Sequence, residues 1–155
     1  MLVKEVMTTE MITAKPYDQT RSVAAAICTR KISGVPVVDD EGRLVGLVSE
    51  KDILNCLLPS YSDFLADPVR CKDFESMELA YHDVLTRDVS ELMTSRLYTV
   101  GPEDPIMLAA SRMALHGFRR IPVVDPENRL IGIVSLGDVH KAIFQRELGM
   151  PQNEA

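Results

Sequence analysis

The stretch FRRIPVVDPENRLIGIVSLGDVH, residues 118–140, decides the fold, because the chain has already written it once. ISGVPVVDDEGRLVGLVSEKDIL, residues 32–54, aligns with it without a gap, eighty-six residues earlier. Each copy holds two apolar runs around a turn sequence: 35–38 and 44–48 flank DDEG, and 121–124 and 130–134 flank DPEN. That pattern predicts two strands joined by a short connection. A helix is expected to start after the serine that closes each copy's second run, Ser49 or Ser135.

The same offset holds further out. KEVMTTEMITAKPYD, starting at Lys4, matches SELMTSRLYTVGPED, starting at Ser90, with Met7-Thr8 against Met93-Thr94 and Asp18 against Asp104. The repeat therefore covers about 3–54 and 89–140. Short extended pieces are expected at 11–14 and 97–100, then a turn containing Pro16 or Pro102, then a helix. Asp18 and Asp104 are read as N-caps, and Pro105 suits a first helical turn. Val23, Ala26 and Ile27, like Ile106, Ala110 and Met113, follow helical spacing and suggest apolar faces for a twofold dimer contact. Each half reads β-α-β-β-α, so the class is α/β. A duplicated unit that leaves an apolar face exposed on its own must pack against its copy.

The expected domains are a first repeat at 1–56, a helical connector at 57–88, a second repeat at 89–148 and a tail at 149–155. In the connector, LLPSYSDFLADPVRCKDF carries two prolines and ESMELAYHDVL looks helical, so one or two helices are expected there. It serves either as a plain connection or as a dimer-packing element.

Composition narrows the function. The 155 residues are 46% hydrophobic and 26% charged, as in a soluble globular protein. A net charge of −6 argues against non-specific binding to nucleic acid or to an anionic membrane. The longest strictly apolar run, 23–28, is far short of a membrane span, and MLVKEVMTTEMI has acids where a signal peptide would be apolar. A cytoplasmic location is expected. Cys28, Cys56 and Cys71 are odd in number and widely spaced, which argues against a disulfide framework or zinc ribbon and predicts buried free thiols. No phosphate loop, metal-ligand spacing or catalytic triad is visible, so no catalytic residue, metal or required cofactor is assigned.

One shared motif remains: Gly46-x-x-Ser49-x-x-Asp52 and Gly132-x-x-Ser135-x-x-Asp138. A serine between strand and helix caps the helix, leaving backbone N–H groups that attract anions. An ionised aspartate is acceptor-only and suits the vicinal hydroxyls of a ribose. Glycine early in the motif allows close backbone approach. The same residues also make a capping-box helix start without any ligand, and the sequence alone leaves both readings standing.

MTTEMITAKP with MTSRLYTVGP, the two PVVD runs and the two Gly-x-x-Ser-x-x-Asp segments together resemble a tandem pair of cystathionine-β-synthase (CBS) domains, the Bateman module, here standing alone. The resemblance implies two halves related by a pseudo-twofold axis. It implies adenosine-containing ligands (AMP, ADP, ATP or S-adenosylmethionine) in clefts between them, a non-enzymatic regulatory role, a homodimer and an unidentified effector protein. In the main cleft it assigns Asp138 to the ribose, and Ser135, Gly137, Arg120 and Arg119 to the phosphate side. Ile12, Thr13, Ile32 and Ile133 line the adenine, and Thr8 reaches ribose or phosphate. In the second cleft it assigns Asp52, Ser49, Leu47, Lys51, Thr94, Tyr98 and Phe118. There Ser33 and Gly34 replace the two arginines, and Lys51 is the nearest substitute cation. The isoleucines and Leu47 also read as core, Tyr98 and Phe118 as rim or dimer contacts, and Arg119-Arg120 as a solvated pair. The alternative function is a structural dimerisation module with vestigial clefts.

Overall fold

The computed structural model describes residues 1–151, so the expected tail lies outside the described residues from position 152. The chain forms two compact units. One contains Ile12–Asp40 and Val45–Arg96 and carries Asp52; the other contains Met1–Met11, Glu41–Leu44 and the chain from Leu97, and carries Asp138.

In the Asp52 unit the chain runs through α1 (Thr20–Thr29), β1 (Gly34–Val38), β2 (Leu44–Ser49, all but its first residue in this unit) and α2 (Glu50–Asn55). β1 and β2 pair in a two-stranded sheet, extended by single bridges from Ala14 to Val37 and from Leu47 to Thr94. The strand expected at 11–14 is thus one bridge. Its extension ends where Asp18 accepts a hydrogen bond from the Lys15 N–H (2.8 Å) and turns the chain toward α1. β2 alternates as a half-buried strand should, with Leu44, Gly46 and Val48 inward and Val45, Leu47 and Ser49 half-buried. Val23, Val35, Val37, Val48, Val84 and Val89 make the core.

The connector is three short helices rather than one or two: α3 (Tyr61–Ala66), α4 (Phe74–Leu79) and α5 (Tyr81–Val84), with a 3-10 turn at Arg70–Lys72. Separate caps break it up. Ser60 Oγ accepts from the Asp63 N–H, and Asp73 accepts from the Ser76 N–H. α6 (Val89–Leu92) follows. A pocket of about 640 Å³ lies in this segment, with Leu57, Arg70, Cys71, Met77 and Arg87 in its wall. None of the residues expected to bind ligand lines it.

The Asp138 unit opens with a 3-10 turn, Val3–Glu5, and continues with α7 (Ile106–His116), β3 (Arg120–Val124), β4 (Leu130–Ser135) and α8 (Leu136–Glu147). β3 and β4 are antiparallel, with Arg120 opposite Ser135 and Pro122 opposite Ile133. Val100 bridges Val123 in parallel, and Thr8 bridges Ile133 on the other edge. Val3, Ile106, Ala109, Met113, Ile121 and Val134 are the centre of the core.

The units do not coincide with the sequence copies. Residues 1–11 lead the first copy yet belong to the Asp138 unit, and residues 89–96 lead the second copy yet belong to the Asp52 unit. The hydrogen bonds are reciprocal. Val3 N–H donates to Asp104 O (2.9 Å) and Ile106 N–H to Met1 O (3.1 Å). In the other unit Val89 N–H donates to Asp18 O (2.8 Å) and Thr20 N–H to Arg87 O (2.9 Å). Met1 of one exchanged segment, and Arg87 just before the other, supply carbonyls to the first helical N–H groups, so a side-chain cap is unnecessary. The N-cap positions are Gln19 and Pro105, without side-chain cap bonds, and not Asp18 and Asp104 as expected. Asp104 instead closes the preceding turn, accepting from Gly101 N–H at 2.8 Å.

Two further expectations are corrected. Cys28 and Cys56 are exposed and Cys71 is half-buried, so the thiols are not core groups. Val23, Ile106, Ala110 and Met113 are buried in the cores of their own units, with Ala26 and Ile27 packed against that of the Asp52 unit, so they leave no bare helix face. The exposed apolar side chains of α7 and α8 are Met107, Leu115 and Phe144. Among the described residues no helix is long and apolar enough to cross a membrane.

Candidate functional site

The two serines are where the sequence pattern places them, at the N-caps of α2 and α8, each in a capping box. At α8, Ser135 donates to Asp138 Oδ2 from its backbone N–H (2.8 Å) and from its hydroxyl (2.6 Å), and Asp138 N–H returns a bond to Ser135 Oγ (3.0 Å). Leu136 N–H is used by Arg119 O at 2.8 Å. Among the described residues Gly137 N–H has no acceptor, and nothing donates to Asp138 Oδ1. That leaves one open donor at the positive end of a 12-residue helix and one open carboxylate oxygen beside it.

The ladder brings the neighbouring side chains to the same face. Directly opposed residues in an antiparallel pair share a face, and so do positions i and i+2 of a strand. Arg120 opposite Ser135, and Thr8 opposite Ile133, therefore set Arg120, Ser135, Ile133 and Thr8 on one side of the sheet. Gly132 and Val134 take the buried side. Arg120 is half-buried and Arg119 is exposed, and among the described residues neither guanidinium forms an ion pair. Thr8 is exposed, and Ile133 is half-buried and is not part of the core cluster.

The Asp52 unit repeats this arrangement without the arginine. Ser49 N–H and Oγ donate to Asp52 Oδ2 at 2.8 and 2.9 Å, and Glu50 N–H donates to Ser33 O at 2.9 Å. Leu47 and Thr94 exchange backbone bonds of 3.0 and 2.8 Å. Lys51 is exposed. Gly34 stands where Arg120 stands in the other unit, and a Cβ there would lie 3.0 Å from Val48 O. Ile12 and Ile32, half-buried, pack on this unit's core, and Thr13 is exposed.

Tyr98 and Phe118 lie together in the Asp138 unit, their centroids 5.6 Å apart, with a third ring against both, one the sequence reading passed over. His116 stacks on Tyr98 with centroids 3.7 Å apart and planes at 21°, and on Phe118 at 5.6 Å. The available signal was spacing: His116 ends α7, and Gly117, at φ 73°, turns the chain so that Phe118 folds back beside it.

The motif glycines serve a purpose different from the expected ligand approach. A Cβ on Gly132 would meet Met7 Sδ, and one on Gly46 would meet Met93 Sδ. Each glycine admits the methionine of the Met-Thr pair, which in turn seats the threonine on the strand edge.

The chain belongs to the CBS domain family: the family model matches residues 3–59 and 89–145. Among curated relatives, MJ1426 of Methanocaldococcus jannaschii is 35% identical over 156 residues, covering 93% of this chain and 92% of its own length. YhcV of Bacillus subtilis, a CBS domain-containing protein, is 30% identical over 88% of this chain and 81% of its own. A crystal structure of CBSX2 in complex with AMP superposes with a TM-score of 0.72 at 30% identity, over 94% of this chain and 98% of that one; CBSX2 is a protein of Arabidopsis thaliana.

Proposed function

We propose that the chain is a regulatory module that binds an adenosine nucleotide at the Asp138 site and passes the signal to a partner protein. The observation that carries this reading is Arg120: a half-buried guanidinium, without an ion pair among the described residues, on the face that holds Ser135, at the mouth of α8. A half-buried guanidinium that forms no ion pair among the described residues can receive an anion, and Gly137 N–H provides a second donor for it. Asp138 Oδ1 and the Thr8 hydroxyl then meet the ribose diol. The AMP complex of CBSX2, whose crystallised chain is covered over 98% of its length, supports the ligand class. The second reading, a structural dimerisation module, draws on the exposed Met107, Leu115 and Phe144 and on a capping box that is satisfied without ligand.

The test is calorimetric titration with AMP, ADP, ATP, S-adenosylmethionine and GTP. An adenosine compound is expected to bind and to raise the melting midpoint, by several degrees at about a hundredfold excess over Kd. Silence with every adenosine compound would favour the dimerisation module. Equal binding of GTP and ATP would remove adenine recognition.

A further inference from the structure

The two aspartates are built alike but are not equally available. Asp138 Oδ2 carries both donors from Ser135, and among the described residues Oδ1 carries none. Asp52 Oδ2 carries the same two donors from Ser49, but its Oδ1 accepts from Thr94 Oγ1 at 3.0 Å. Thr94 corresponds to Thr8, and the backbones agree. Thr8 exchanges bonds of 2.9 and 3.0 Å with Ile133, as Thr94 does with Leu47. The difference lies in the side chains. The Asp138 face carries Arg120, whereas the Asp52 face has Gly34 at the matching position and draws a hydroxyl instead.

We propose that Thr94 is a latch on the Asp52 site. Its hydroxyl occupies the carboxylate oxygen that a ligand diol would need, so this site admits a nucleoside only when Thr94 rotates about χ1. The backbone pairing with Leu47 stays in place during that rotation, because only the side chain moves. Among the described residues Asp138 has no such competitor. The two sites of one chain therefore fill in order, Asp138 first. This rests on the adenosine reading, and it reverses the role the family resemblance gives Thr94, from ligand contact to competitor.

The experiment isolates the Asp52 site in the Asp138→Ala protein and titrates it with AMP. Thr94→Val, which keeps the shape and removes the hydroxyl, is expected to tighten AMP by roughly tenfold, the worth of one hydrogen bond to a charged group. Thr94→Ser is expected to restore the weak binding. Weaker binding in Thr94→Val would make Thr94 a ligand contact and overturn the latch, as would no change. If AMP binds none of the variants, the adenosine reading falls, and the latch is judged without ligand by melting midpoints. Thr94→Val combined with Asp52→Asn is expected to be non-additive, and Thr8→Val with Asp138→Asn additive. Additivity of the first pair would overturn it.

Discussion

The sulfur of Met7 occupies the space a side chain at position 132 would need: a Cβ on Gly132 would lie 2.7 Å from Met7 Sδ and 3.2 Å from Thr8 O. At Gly46 the same construction gives 2.5 Å to Met93 Sδ and 3.1 Å to Met93 Cβ. In both units a glycine and a methionine form one piece of packing, and the following threonine is placed by it.

Gly132→Ala and Gly46→Ala are therefore expected to destabilise the protein by about 1–3 kcal/mol each. A thioether can swing aside, but the Thr8 carbonyl and Met93 Cβ cannot follow it cheaply. Urea or thermal unfolding measures the loss. Met7→Ala in the Gly132→Ala background should recover part of it, and a fully additive double variant would contradict the packing account.

Binding should divide between the aspartates. Asp138→Ala is expected to abolish the tighter nucleotide event and Asp52→Ala to spare it. Arg120→Ala should weaken AMP by roughly tenfold or more while leaving adenosine nearly unchanged, since only AMP carries the phosphate that a charge-assisted bond would hold. Calorimetry with both ligands decides, and equal losses for AMP and adenosine would remove Arg120 from the phosphate.

Acid should loosen the connector. Asp63 lies below the usual carboxylate range because Ser60 donates to it from hydroxyl and backbone, and Asp73 does so because of Ser76. A lowered value in the folded protein means that the stabilisation is complete above the unfolded value of 3.8 and is lost as pH falls through the folded one. Amide exchange at the starts of α3 and α4 is expected to rise below about pH 3.8, and earlier in Ser60→Ala and Ser76→Ala. Protection, measured against the intrinsic exchange rate at each pH, that stays constant through that range would count against the caps.

Val3→Ala and Val89→Ala should cost similar amounts, about 1–2 kcal/mol each, because both side chains are fully buried at corresponding places of their two cores. Chemical denaturation of the two variants tests it, and a cost confined to Val89 would show that the leading segment is not an equal part of its core.

The repeat, the strand pairs and the Ser-x-x-Asp helix starts were legible because each is local: spacing, turn residues and caps act within a few positions. Arg120 could be singled out because the copies differ there. The exchange of leading segments was not legible, since an alignment of two copies matches residues 3–10 with 89–96 whichever sheet each lies against. Asp18 and Asp104 misled for the same reason. Their helices are capped by carbonyls distant in sequence, from Arg87 and Met1. The glycine role was missed because it depends on a methionine about forty-seven residues away for Gly46, and on one more than a hundred away for Gly132.

The exchanged segments also bear on ancestry. A chain holding a single copy would carry a leading segment with no sheet of its own to complete, and a sheet lacking its outer segment. Two such chains would satisfy each other only by trading these pieces, as in domain swapping. Tandem duplication would then have turned an exchange between molecules into one within a molecule, with residues 57–88 as the seam that joined them.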